Sequence, residues 1–104
     1  MNAEDEKLIK LARSSRARNG APEGAAVRDE TGRTYTATTV ALPSLDLTAL
    51  QVAVAMAVAS GAEDLEAAVV VTGGDLPDIS AVRDLGPKAP VLVAGPDGTV
   101  HTTL

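Results

Sequence analysis

A chain of 104 residues with no Cys, Phe or Trp and a single Tyr must fill its core with Ala, Val, Leu and Ile. The lack of cysteine excludes disulfides, thiolate nucleophiles and every cysteine-based metal site. Nine basic and fourteen acidic residues give a formal charge of −5, which argues against general nucleic-acid binding.

No apolar run approaches the length of a membrane span. The opening MNAEDEKLIK is acidic where a secretory signal is basic and then apolar. The expectation is one cytoplasmic domain over residues 1–104. A core this poor in aromatic anchors also suggests that oligomerisation adds buried surface.

Residues 3 to about 18 read as an amphipathic helix. Leu8, Ile9, Leu11 and Ala12 make its stripe, and acids at Glu4, Asp5 and Glu6 sit at the positive end of its dipole. Asn19-Gly20 stops it. Residues 24–29 and 33–40 flank a turn at Glu30-Thr31-Gly32 and predict a hairpin whose second strand is rich in threonine.

The stretch 46–60, DLTALQVAVAMAVAS, predicts a helix capped by Asp46 or Thr48 and ended by Gly61. It is apolar nearly all round, so it asks for cover on more than one side. Residues 65–72 (LEAAVVVT) read as a buried strand of the parallel-sheet kind. A short helix around 78–85 follows, opened by Asp75-Leu76-Pro77-Asp78. Residues 90–94 predict another buried strand, Pro96-Asp97-Gly98 a turn, and 99–104 a closing edge strand. The order α-β-β-α-β-α-β-β predicts a three-layer α/β sandwich on a mixed five-stranded sheet with helices on both faces.

Several stretches carry a resemblance. Pro22-Glu23-Gly24-Ala25-Ala26-Val27 is similar to the P-V-G-A-A-L approach to the first strand of the small cytidine deaminases that act on free nucleosides. Ala57-Val58-Ala59-Ser60-Gly61 resembles the A-V-S-E-G end of their zinc-bearing helix. Gly86-Pro87-Lys88-Ala89-Pro90-Val91-Leu92-Val93-Ala94, then Asp97-Gly98 and Thr102-Thr103-Leu104, resemble their C-terminal strand, turn and strand. Together these cover nearly the whole chain and imply the cytidine deaminase fold.

The resemblance does not extend to the chemistry. Zinc deaminases use a His or Cys from one helix start, two Cys from the next and a proton-shuttling Glu. Counted back from Gly61, the first ligand position falls on Thr48 and the glutamate position on Leu50. Counted back from Gly86-Pro87, the paired cysteines fall near Asp75 and Asp78. The family's ribose-gripping N-x-E is absent from residues 36–42, TATTVAL, and its base-stacking Phe falls near Ala21. The only histidine is His101, in the last strand. The resemblance therefore implies a degenerate homologue with no catalytic residues and no zinc or other cofactor. Such a homologue would be a binding or structural protein assembled, like its relatives, as a homodimer or homotetramer. On that view a bulky residue at Ala53 or Ala57 disrupts assembly.

Two other classes stay open. One is a binder of a nucleoside or similar small molecule in a pocket re-lined by Thr48, Leu50, Asp75 and Asp78. The other is a deaminase or hydrolase with a non-standard site. Asp75 and Asp78, with Asp46 or Asp84, could hold Mg²⁺ or Ca²⁺, but Asp-x-x-Asp before an apolar helix is also what capping produces, and capping is favoured. Lys7, Lys10, Arg13, Arg16 and Arg18 give the first helix a basic side. A solvated face is favoured there over an RNA or phosphate surface.

Overall fold

A computed structural model describes residues 2–104. Helix α1 (Ala3–Asn19) begins at Asn2, whose side chain accepts the Asp5 N–H, and ends at Gly20 in the left-handed region, φ 60°. Strands β1 (Glu23–Asp29) and β2 (Thr34–Thr38) form the expected hairpin. Helix α2 (Ala49–Ala59) is followed by β5 (Leu65–Thr72), α3 (Ser80–Leu85), β6 (Val91–Ala94) and β7 (Val100–Thr103).

Between β2 and α2 the chain adds two three-residue strands, β3 (Val40–Leu42) and β4 (Leu45–Leu47), paired as a separate two-stranded sheet. The sequence pattern predicts a strand running to residue 40 and a helix from residue 46, where the chain instead forms this hairpin. Strands of three residues are too short to display a period-2 pattern.

The five-stranded sheet has the order β2-β1-β5-β6-β7. Strand β5 pairs parallel with β6, and every other pairing is antiparallel. Because successive side chains point to opposite faces, the central strands divide their residues between two cores. Ala25, Val27, Ala68, Val70, Val91 and Val93 pack with Leu50, Ala53, Val54 and Ala57 of α2 and Val82 of α3. Ala26, Ala67, Val69, Val71, Leu92 and Ala94 pack with Leu8, Ile9 and Ala12 of α1. One helix on one face and two on the other make the three layers, as the sequence predicts.

Small residues set the spacing of the α1 layer. A Cβ on Gly24 would lie 2.2 Å from the Ala12 carbonyl oxygen, so only glycine lets β1 pass under α1 at this distance. At the other end of β1, Asp29 is buried and organises the hairpin turn. Its Oδ1 accepts the Thr31 N–H and hydroxyl and the Arg33 N–H, and its Oδ2 accepts the Tyr35 hydroxyl at 2.9 Å.

The apolar girdle of α2 is only half covered. Ala49, Leu50, Ala53, Val54 and Ala57 are buried against the sheet. Met56 and Val58 are 41% and 53% exposed, and Ala55 and Ala59 are exposed beside them. This corrects the expectation for Ala53 and Ala57, which are 0% exposed inside the single chain. Bulk there strikes the protein's own core, and the face left for a neighbour is that of Met56 and Val58. No helix among the described residues is long and apolar enough to cross a membrane.

Candidate functional site

The carboxyl end of β5, the start of β1 and the N-terminus of α2 meet around a cavity of about 560 Å³. Ligands of open α/β sheets bind in such a crevice beyond the carboxyl ends of the strands. The size is within the range of small-molecule sites. Of the four positions singled out in the sequence, Thr48 and Asp75 line this cavity, whereas Leu50 and Asp78 do not.

Thr48 is committed to the helix it precedes. Its Oγ1 accepts the Gln51 N–H at 3.1 Å, and the Gln51 side chain accepts the Thr48 N–H at 2.9 Å, closing a capping box. Asp46, the alternative cap, lies in β4 and faces the cavity instead. Leu50 is 1% exposed and packs in the α2 core, so its place is structural and not part of the pocket wall.

Asp78 is exposed and accepts both the N–H and the hydroxyl of Ser80, the first residue of α3. Ser80's hydroxyl, and then its N–H, hold the Asp78 carboxyl below the ordinary carboxylate value. The spacing favours a cap, but the cap position of α3 is Ile79, with no side-chain cap hydrogen bond, and Asp78 sits one residue before it. Asp84 borders a different concavity, with Glu63, Asp64 and Lys88. Among the described residues no group of three or more His, Cys, Asp or Glu could hold a metal ion.

The cavity also contains residues outside the positions singled out in the sequence: Glu23, Gln51, Thr72 and Thr39 face it. Thr39 Oγ1 is buried without a hydrogen-bond partner among the described residues. Gln51 was readable as the fourth residue of a T-x-x-Q capping box. Thr39, at the break between β2 and β3, carries no comparable signal. The remaining titratable candidate, His101, is exposed on β7, at the sheet edge, and is not among the residues lining the cavity.

The three-layer α/β sandwich on a mixed five-stranded sheet is the fold class that the sequence resemblance implies. A family model described as cytidine deaminase-like matches residues 1–98, and the chain belongs to that family. The structure is similar to cytidine deaminase from Burkholderia pseudomallei, with TM-score 0.78 and 25% identity over 100% of this chain and 92% of the other. It is also similar to the cytidine deaminase from Mycobacterium leprae, with TM-score 0.74 and 24% identity over 98% and 94% of the two chains. The Mycobacterium tuberculosis enzyme gives TM-score 0.70 and 23% identity over 95% and 89%. No curated protein matches the chain.

The residues that the sequence resemblance sets at the zinc positions do not fit zinc. Thr48 offers a hydroxyl already bonded to its helix, and the chain has no cysteine to supply thiolates. Leu50, buried in hydrocarbon, cannot carry a proton. Asp75 and Asp78 diverge, one facing the cavity and the other folded onto Ser80.

Proposed function

We propose that this protein is a non-catalytic member of the cytidine deaminase-like family, working as a homo-oligomeric binding or structural protein. The observation that carries the reading is the fate of Thr48 and Leu50. Where the deaminases have a metal ligand and a proton shuttle, this chain has a helix cap and a core leucine. Leu50 has no group that can move a proton, and the Thr48 hydroxyl gives an acceptor position to the helix cap.

Oligomerisation is supported by the uncovered apolar surface. Met56 and Val58 on α2, and Leu42 and Leu45 at the tip of the β3–β4 hairpin, stand 41–59% exposed. Fully burying a side chain of this size gains about 1.5–3 kcal/mol. Light scattering on the purified protein tests it: a dimer or tetramer is expected, and a strict monomer at high concentration refutes the assembly.

A second reading, binding of a nucleoside-like small molecule, is favoured by the cavity itself. Its wall holds the unpartnered Thr39 hydroxyl, and Glu23, Asp46 and Asp75 contribute carboxylates. A thermal-shift panel of nucleosides, nucleobases and nucleotides addresses it. A ligand at a hundred times its dissociation constant adds about 2.7 kcal/mol, a rise of roughly ten degrees or more in a domain this size. A silent panel leaves the scaffold role alone.

A further inference from the structure

A second concavity, of about 360 Å³, lies between the C-terminal half of α1, the end of β5 and the β6–β7 turn. Lys10, Arg13, Ser14 and Ala17 recur at three- and four-residue spacing and so share one side of α1, with Arg16 at its margin. Three cations thus surround one small hollow in a chain whose net charge is −5.

The two arginines are not loosely solvated. Arg13 donates from Nε to the Pro96 carbonyl at 3.1 Å, and Arg16 donates from Nε to the Pro22 carbonyl at 3.1 Å. Each tether uses only the Nε–H, so the terminal Nη groups of each fork remain for another acceptor. Arg13 is also seated against the turn, where a Cβ on Gly98 would lie 2.9 Å from its Cδ.

Arg28 provides the contrast within the same chain. It is paired with Asp5 and Glu66, which is how a purely structural arginine is neutralised here. Among the described residues neither Arg13, Arg16 nor Lys10 has a carboxylate within ion-pairing distance. Two guanidinium planes held by backbone carbonyls lose little further freedom on binding, which is the condition for a preorganised anion site.

We infer that this hollow binds the phosphate group of a small metabolite, through Arg13 and Arg16 with Lys10 closing the charge. The small volume and the apolar Ala17 and Pro96 beside it suit a phosphate monoester with a compact organic part. A nucleic acid is disfavoured by Glu6 and Asp97, which border the adjoining hollow next to Lys10 and Arg13, and by the acidic balance of the whole chain.

The test is an NMR titration of the ¹⁵N-labelled full chain with inorganic phosphate and then ribose 5-phosphate, ionic strength being held constant with chloride. Saturable shifts at the amides of Arg13, Ser14 and Ala17 are expected, with the ester binding at least as tightly as the inorganic ion. Arg13→Gln together with Arg16→Gln should weaken binding by about tenfold or more, as loss of charge-assisted hydrogen bonds does. Lys10→Gln leaves both tethers intact and should weaken binding even if the double variant folds poorly. Lys88→Gln, the same charge change outside the hollow, should change nothing. Linear shifts matched by chloride alone, or undiminished binding in Lys10→Gln and in a folded double variant, would overturn the site. Tighter binding of a short single-stranded oligonucleotide than of the monoester would overturn the small-metabolite assignment.

Discussion

Thr48 and Gln51 close each other's backbone at the start of α2, by hydrogen bonds of 3.1 Å and 2.9 Å running in opposite directions. The residue that the resemblance, counted back from Gly61, sets at the first zinc-ligand position is thereby engaged in holding the first turn of a helix. Losing an N-cap hydroxyl costs about 0.5–2 kcal/mol. Thr48→Ala is therefore expected to lower Tm by several degrees, at about 4–8 °C per kcal/mol for a chain this size. Thr48→Ser should retain most of the stability. Equal melting of the alanine and wild-type proteins in calorimetry would mean the cap is not what Thr48 is kept for.

The buried Asp29 ties stability to pH. The Thr31 hydroxyl, the Tyr35 hydroxyl and the N–H groups of Thr31 and Arg33 outweigh the burial that opposes them, and its carboxyl falls from 3.8 to about 2. A lowered acid stabilises the fold above its unfolded pKa, and this contribution is lost as pH drops from about 4 through about 2. Wild type should lose stability steeply across that window in urea titrations. Asp29→Asn should be less stable at neutral pH and flatter between pH 4 and 2. An identical pH slope in the variant would contradict the assignment.

Tyr35 carries the mirror consequence. Its hydrogen bond to Asp29, then burial and the carboxylate's charge, raise its phenol above 10.0. A raised phenol contributes stability below pH 10 that is lost as pH rises through the folded value. Tyr35→Phe should remove this alkaline loss and leave the protein weaker at neutral pH, where the Asp29–Tyr35 bond is missing. Spectrophotometric titration of this single tyrosine reads the shift directly.

The two sides of α2 should separate folding from assembly. Ala53→Leu and Ala57→Leu add bulk to a filled core and are expected to cost about 1–3 kcal/mol each. Met56→Glu and Val58→Glu put charge on the exposed side and should leave the melting of the isolated chain nearly unchanged while shifting mass toward monomer. Sedimentation that finds the same assembly in the glutamate variants would remove α2 from the interface.

Much of this architecture was written in local patterns. The β-branched runs of β5 and β6, the capped apolar stretch of α2 and the turns at Gly20, Gly32 and Gly98 follow from propensity and backbone preference. The β3–β4 hairpin was hidden because three-residue strands have no period to read. Of the pocket positions that the resemblance suggests, Thr48 and Asp75 line the cavity and Leu50 and Asp78 lie outside it. Leu50 is the second residue of the helix that Thr48 caps, and it packs into the core instead of the cavity. Asp78 turns onto Ser80 at the start of α3, in keeping with the helix-start spacing that favours a local bond over an open carboxylate. Thr39 and Glu23 reach the cavity only through tertiary placement, which the linear order does not encode.

Ammonia release from cytidine, measured on the pure protein with zinc supplied in excess, decides whether this chain is catalytic. Release no faster than in protein-free buffer, with no stoichiometric zinc retained after dialysis, is what a capped Thr48 and a buried Leu50 predict. Zinc-dependent turnover of cytidine would contradict the account and return the chain to the working deaminases.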